Sequence, residues 1–143
     1  MKAKEYLEQI RTLDRRINNN LQALEQLEAL ATKVTAVNNG DRVQSSGSQD
    51  KMADTVIKII ELKQEINADI DRLVDMKCEI IPVIDAVQDA DFYDVLYKRY
   101  ILCKKWEEIA LDMHYSFRWV LKLHGRALQK IDMIRKENEY DRE

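Results

Sequence analysis

Arg118, Lys122 and Arg126 stand four residues apart, so on a helix they share one face. Phe117 and Leu121 border that row, and Gln129 extends it. These side chains suit the groove of a nucleic acid. A guanidinium grips the O6 and N7 edge of guanine, and an ammonium meets guanine or phosphate. Phe or Leu touches a thymine methyl group. Ser116, just ahead of the row, is placed to cap a helix. Lys98, Lys104 and Lys105 lie upstream and suit phosphate contacts, as does Arg126. The candidate contact set is therefore Ser116, Phe117, Arg118, Leu121, Lys122 and Arg126, with Lys104 and Lys105.

Charge is unevenly placed along the 143 residues. The chain has 23 Lys/Arg and 26 Asp/Glu, a net charge of −3. Between Lys98 and Lys136 there are ten Lys/Arg and four Asp/Glu, a local balance of +6. The remainder carries −9. A basic C-terminal part on an acidic chain is the electrostatic footprint of a nucleic-acid module.

Other chemistries find no support. Cys78 and Cys103 lie far apart and form no CxxC pair, and His114 and His124 complete no zinc spacing. Reduced thiols in a cytoplasmic protein are the expectation. The segment from Gly40 to Ser48 has neither the spacing nor the lysine of a phosphate-binding loop. Carboxylates are many, but they stand among lysines on solvated helix faces. No nucleophile, base and orienting group gather, so no catalytic residue, metal or cofactor is expected. The start, MKAKEYLEQIR, becomes charged too soon for a secretory signal, and no apolar run is long enough to cross a membrane.

The elements that position these residues are helices. With 3 Gly and 1 Pro, the fold class is all-α. Leu7, Ile10, Leu13, Ile17, Leu21, Leu24, Leu27 and Leu30 make an apolar stripe on a helix from about residue 3 to about 33. TAVNNGDRVQSSGSQD reads as a loop over about 34–50, with Ser48 or Asp50 capping a second helix. That second helix carries Met52, Val56, Ile59, Ile66, Ile70, Leu73, Ile80, Ile84 and Val87 at heptad spacing, with Lys63 and Lys77 filling two seam positions. Pro82 predicts a kink or boundary near Glu79. Residues 1–89 thus form a long antiparallel, coiled-coil-like helical hairpin, each arm about 45–60 Å long. A hairpin buries little by itself. It needs the C-terminal domain or a second chain along its open side, and a homodimer is expected.

Residues 90–136 form a three-helix domain of the helix-turn-helix type, and 137–143 a disordered tail. Asp91 caps a first helix bearing Val95, Leu96, Arg99 and Tyr100. The second helix runs from Trp106 to Met113, with Ile109, Ala110 and Met113 inward. His114 and Tyr115 make the turn, and histidine tolerates a left-handed backbone there. Ser116 caps the third helix, whose inner face is Val120, Leu123, Ala127, Leu128 and Ile131. His124 has two readings, a phosphate contact or an inert flank. Trp106 and Trp119 read as packing residues. Two short helices joined by a tight turn set the second one in a major groove.

VLYKRY, then WEEIALDMHYS, then Val120 and Ala127-Leu128 resemble the C-terminal helix-turn-helix, region 4, of bacterial sigma factors. The resemblance covers about Asp91 to Ile131. Its most telling parts are Glu108-Ile109-Ala110, Ser116, Val120 and Ala127-Leu128, with Arg99-Tyr100 ahead of them. The chain departs from sigma factors at the start of the third helix, where Phe117, Trp119 and Leu121 replace polar residues, and it has no promoter-melting region. GDRVQSSGSQDKMADTVIKIIEL followed by the C-terminal module is similar to small phage and prophage proteins of Gram-positive bacteria, of the ArpU/RinA type of late-gene regulators. That resemblance implies a cytoplasmic, double-stranded-DNA-binding regulator of phage operons that works with host RNA polymerase. A sequence-specific transcription regulator is the expected function. The alternatives are a DNA-packaging component like a small terminase subunit, and a polymerase-binding protein without DNA readout.

Overall fold

A computed structural model describes the backbone of residues 1–40 and 46–143, and the side chains of 1–33 and 50–143. The fold is all-α, with no strand among the described residues. The elements are α1 (Ala3–Gly40), α2 (Ser46–Asp85), α3 (Ala90–Leu96), a π-helical turn (Tyr97–Ile101), α4 (Trp106–Met113) and α5 (Phe117–Arg142). No described helix is long and apolar enough to cross a membrane.

The loop expected over about 34–50 is shorter than its composition suggests. Helical backbone continues to Gly40 and resumes at Ser46, so Asp50 lies inside α2 and not at its start. Thr35, Ala36 and Val37 offer nothing that ends a helix, and the next glycine is Gly40. Residues 41–45, and with them the question of what the Gly40–Ser48 segment binds, lie outside the described residues.

Two compact units divide the chain. One gathers residues 1–14 and 73–143, the other residues 15–72. The expected boundary at residue 89 falls within the first of these units. The apolar faces of the C-terminal helices need cover, and they take it from the start of α1 and the end of α2. Ala3, Leu7 and Ile10 of α1 and Ile80 and Ile84 of α2 enter one core. Val95, Leu96 and Tyr100, Ile109 and Ala110, and Val120, Leu123, Ala127 and Ile131 complete it. Polar ties hold the same unit. The Ala3 amide donates to Asp132 Oδ1 at 2.8 Å, and Arg135 donates to the Met1 carbonyl at 3.0 Å while stacking on the Tyr6 ring.

Pro82 sits inside α2 without ending it. Its missing donor would have served the Cys78 carbonyl, one turn back on the same exposed face, where water can substitute. Ile80 and Ile84, on either side of it, are fully buried and hold the helix in place. α3 is capped by Asp89, not by Asp91: the Asp89 carboxylate accepts the Phe92 amide at 3.0 Å. Asp91 lies in the first turn.

The π-helical turn has a packing consequence. Arg99, Tyr100 and Ile101 are all buried, although a regular helix separates consecutive residues by about 100°. The widened turn closes with the Leu102 amide on the Tyr97 carbonyl at 3.0 Å. Lys77 Nζ donates to the freed Ile101 carbonyl at 2.8 Å.

At its other end, α5 runs on to Arg142, through the 137–143 stretch expected to be disordered. Lys136, Glu137 and Glu139 are good helix formers, and the helix simply propagates past its last core residue.

In the unit of residues 15–72, the α1 and α2 segments lie side by side. Ile17 and Ile66 are the buried apolar side chains among its described residues. Asp69 is buried with them, held by Arg16 Nε at 3.1 Å, and Arg16 also binds Glu65. Lys63 reaches Glu28 at 3.3 Å. Leu21 and Leu30 of the expected α1 stripe are exposed, as are Val56 and Ile70 of the expected α2 seam. α2 carries apolar residues on two neighbouring rows, and only the row through Ile59, Leu62 and Ile66 turns inward.

α4 ends in a Schellman motif. His114 adopts a left-handed backbone (φ 57°, ψ 36°), and the Tyr115 amide bonds the Ala110 carbonyl at 3.1 Å. This geometry sets a stability test. His114→Gly keeps stability or raises it by up to about 1 kcal/mol, whereas His114→Val lowers it by about 1 kcal/mol or more. Urea unfolding followed by far-UV circular dichroism measures both.

Candidate nucleic-acid interface

Three residues, His114, Tyr115 and Ser116, separate α4 from α5. Each has a fixed task. His114 turns the backbone. Tyr115 donates its hydroxyl to Asp91 Oδ2 at 3.0 Å and so ties the turn to α3. Ser116 accepts the Trp119 amide at 3.1 Å and starts α5. The serine oxygen is engaged as a cap, so Ser116 positions α5 and its hydroxyl is not a free contact group.

The inner face of α5 is Val120, Leu123, His124, Ala127 and Ile131, all buried. Leu128, expected with them, is only partly buried. Phe117, Arg118, Leu121, Lys122, Gly125, Arg126 and Gln129 are left on the outer side, exposed. The structure thus brings Arg118, Lys122 and Arg126 together as their spacing implies. No acidic residue stands in the first turn of α5. Among the described residues, neither Arg118 nor Lys122 forms an ion pair. Arg126 leans over the Trp119 ring at 5.3 Å, which gives Trp119 a second task beside packing.

The upstream lysines are less free than their spacing suggests. Lys104 Nζ binds Asp112 Oδ2 at 2.6 Å, and Lys98 approaches the same oxygen at 3.9 Å. The hydrogen bond from Lys104 is the main reason the Asp112 carboxyl is held below its ordinary pKa. Lys105 is exposed at the start of α4, with no capping bond from its side chain. Of the three lysines expected at phosphates, Lys105 is open, Lys104 must leave Asp112 to serve, and Lys98 lies near the same carboxylate.

His124 faces away from the candidate surface. Neither expected reading describes it, because it is a core residue. Its Nε2 and the Tyr100 hydroxyl are 2.6 Å apart and share a hydrogen bond. Its ring meets Trp106 edge-on at 4.6 Å. Arg99 stacks on the same Trp106 at 4.1 Å while donating to the Lys104 carbonyl at 3.0 Å. Burial pushes the imidazole pKa down to about 4, with the nearby Arg99 charge adding to the effect. Burial likewise raises the Tyr100 pKa well above its ordinary value. Both groups stay neutral at pH 7, and their bond ties the π-helical turn to α5.

Sequence reasoning missed Asp112, the Asp91–Tyr115 bond and the burial of His124. The four-residue step from Val120 to His124, continued by Ala127, was the signal available for the last. It also missed Leu111, which is 76% exposed on α4. Gly125 is a further unanticipated feature. A Cβ built there meets nothing within 4 Å, so packing does not require a glycine. Among the described residues no group of three or more His, Cys, Asp or Glu side chains is arranged to hold a metal ion. No protein-family model matches the chain, and no curated protein or solved structure matches it.

The His124 environment predicts a pH dependence. Its folded pKa, about 4, lies below the ordinary 6.5, so between these values the unfolded chain takes up the proton more readily. Stability therefore falls as pH drops through this window, by about 2 kcal/mol at pH 5. Urea unfolding at pH 7 and pH 5 reads the loss. A Tyr100→Phe/His124→Leu variant, which removes both polar groups together, shows a correspondingly flatter response.

Proposed function

We propose that this chain is a sequence-selective double-stranded-DNA-binding regulator of transcription, with α4, its three-residue turn and α5 acting as a helix-turn-helix. The observation that carries the proposal is the outer face of α5. Arg118 and Lys122 are exposed, unpaired and free of acidic neighbours in the first turn. Phe117 and Leu121, 45% and 39% exposed, stand beside them. An anionic groove that offers guanine edges and thymine methyls complements this mixture. Lys105 and Arg126 supply phosphate contacts and salt-dependent affinity.

Gly125 supports the same assignment. It lies seven residues after Arg118 and three after Lys122, on their face. Glycine in a helix interior costs about 1 kcal/mol relative to alanine. With nothing packed against it, that cost suits a place where the backbone comes close to a ligand.

The likeness to sigma region 4 and to the ArpU/RinA type of phage regulator suggests a promoter of phage genes as target, with host RNA polymerase as a second partner. A second reading, docking of polymerase without base readout, draws on the exposed Leu111 beside the turn.

Selection of bound sequences from a random DNA pool tests the proposal. An enriched motif is expected, and Arg118→Ala and Lys122→Ala each weaken binding to it by about 1–3 kcal/mol and relax base preference. Arg126→Ala weakens binding to all sequences and lowers the salt dependence by about one phosphate. Gly125→Gln makes the helix more stable yet reduces affinity. Weak, uniform binding unaffected by these variants overturns base readout by α5, and pull-down of polymerase lost on Leu111→Glu then favours the second reading.

A further inference from the structure

Among its described residues, the unit of residues 15–72 leaves half of its large aliphatic side chains exposed. Val56, Ile57, Ile60 and Ile70 of α2 and Leu21 and Leu30 of α1 are each between 39% and 53% exposed, against two buried isoleucines. Their order on α2 is not random. Val56, Ile60, Lys63, Asn67 and Ile70 follow one another at steps of four, three, four and three. This is the heptad rhythm of a helix that meets another helix along its length. It runs beside the inward row of Ile59, Leu62 and Ile66, so α2 carries two contact rows.

The ion pair between Lys63 and Glu28 shows which side of the pair this second row faces. Leu21 lies seven residues before Glu28 and shares its face of α1. Val56 and Ile70 lie seven residues either side of Lys63 and share its face of α2. Leu21, Val56, Ile60 and Ile70 therefore open on one side, with the Lys63–Glu28 pair between them.

We infer that this side is a homodimer interface, closed by the same face of a second copy. Three observations favour a copy of this chain as the occupant. The heptad spacing calls for a helical partner, and this chain offers a helix of matching rhythm. Lys63 and Glu28 stand at the middle of the face, with the exposed Glu25 beside them on the α1 row, so a two-fold axis that sets each Lys63 near the other copy's acidic α1 row gives both lysines partners across the interface. The described helices of the unit offer a face on the order of 30 Å by 20 Å. That approaches the roughly 800 Å² each partner buries in a stable interface. Pairing two such units makes a four-helix arrangement in which the exposed aliphatics become the central layer. Asn67, a polar residue within the row, then fixes the register. The inference rests on residues 15–72 alone and does not depend on DNA binding.

Analytical ultracentrifugation of the full chain tests it. The wild type sediments as a dimer. Ile60→Glu/Ile70→Glu, which alters only exposed positions, dissociates it with at least about a 100-fold rise in dissociation constant and unchanged helical circular dichroism. Lys63→Glu weakens the dimer, and Glu28→Lys added to it restores the dimer. A wild type that stays monomeric at about 100 µM overturns the interface. So does a dimer whose dissociation constant is unmoved by Ile60→Glu/Ile70→Glu. Loss of the dimer without loss of half-site DNA binding separates this surface from the α5 face.

Discussion

Helices of seven and eight residues do not persist in water by themselves, because the first turn costs more order than its hydrogen bond returns. α3 and α4 are of that length. Their existence depends on tertiary burial, and everything about the candidate interface depends on theirs. Tyr100 stands at the centre of this dependence. It is fully buried, it is the largest such side chain, and its hydroxyl finds His124 of α5. A phenol sealed from water without a partner is costly, so the bond also selects which turn of α5 lies over the π-helical turn. The borrowed residues Leu7, Ile10, Ile80 and Ile84 then close the remaining sides.

Electrostatics is organised on a second level. The chain is acidic overall, and its basic stretch is not uniformly basic at the surface. Asp112 absorbs Lys104 and draws Lys98, while Arg99 is turned inward onto Trp106. What remains open is a narrow set on α5, together with Lys105. Concentrating free cations on one helix face gives direction to an electrostatic attraction that would otherwise be diffuse.

How much of this was legible from residues alone depended on how local the governing physics was. The limits of α4, the left-handed turn at His114 and the cap at Ser116 follow from a few adjacent side chains, and spacing revealed them. Val120, Leu123, Ala127 and Ile131 of the inner face of α5 followed from its period, while Leu128 is only partly buried. Long-range terms were invisible. Asp89 and Asp91 are equally good caps by type, and only the bond from Tyr115 shows why Asp91 is used elsewhere. His124 looked like a flank because histidine is polar, and the partner that makes it a core residue lies 24 positions away. On α2 the apolar pattern holds two overlapping rows, so spacing assigns Val56 and Ile70 to a seam that Ile59, Leu62 and Ile66 occupy. Pro82 signals a kink or boundary, yet its flanking isoleucines are buried firmly enough to carry the helix past it. The arrangement of the outer α5 face was legible. What that face binds is a matter of chemistry between molecules, which spacing alone does not contain.

The division of α5 into an inner face that carries the packing and an outer face that carries none has an evolutionary consequence. Val120, Leu123, His124, Ala127 and Ile131 constrain one another through the core, so a change at one demands changes elsewhere. Phe117, Arg118, Leu121, Lys122, Gly125 and Gln129 carry no such obligation. Substitutions there disturb the scaffold less than substitutions on the inner face, so the chemistry of this surface can change by single steps while the fold is kept.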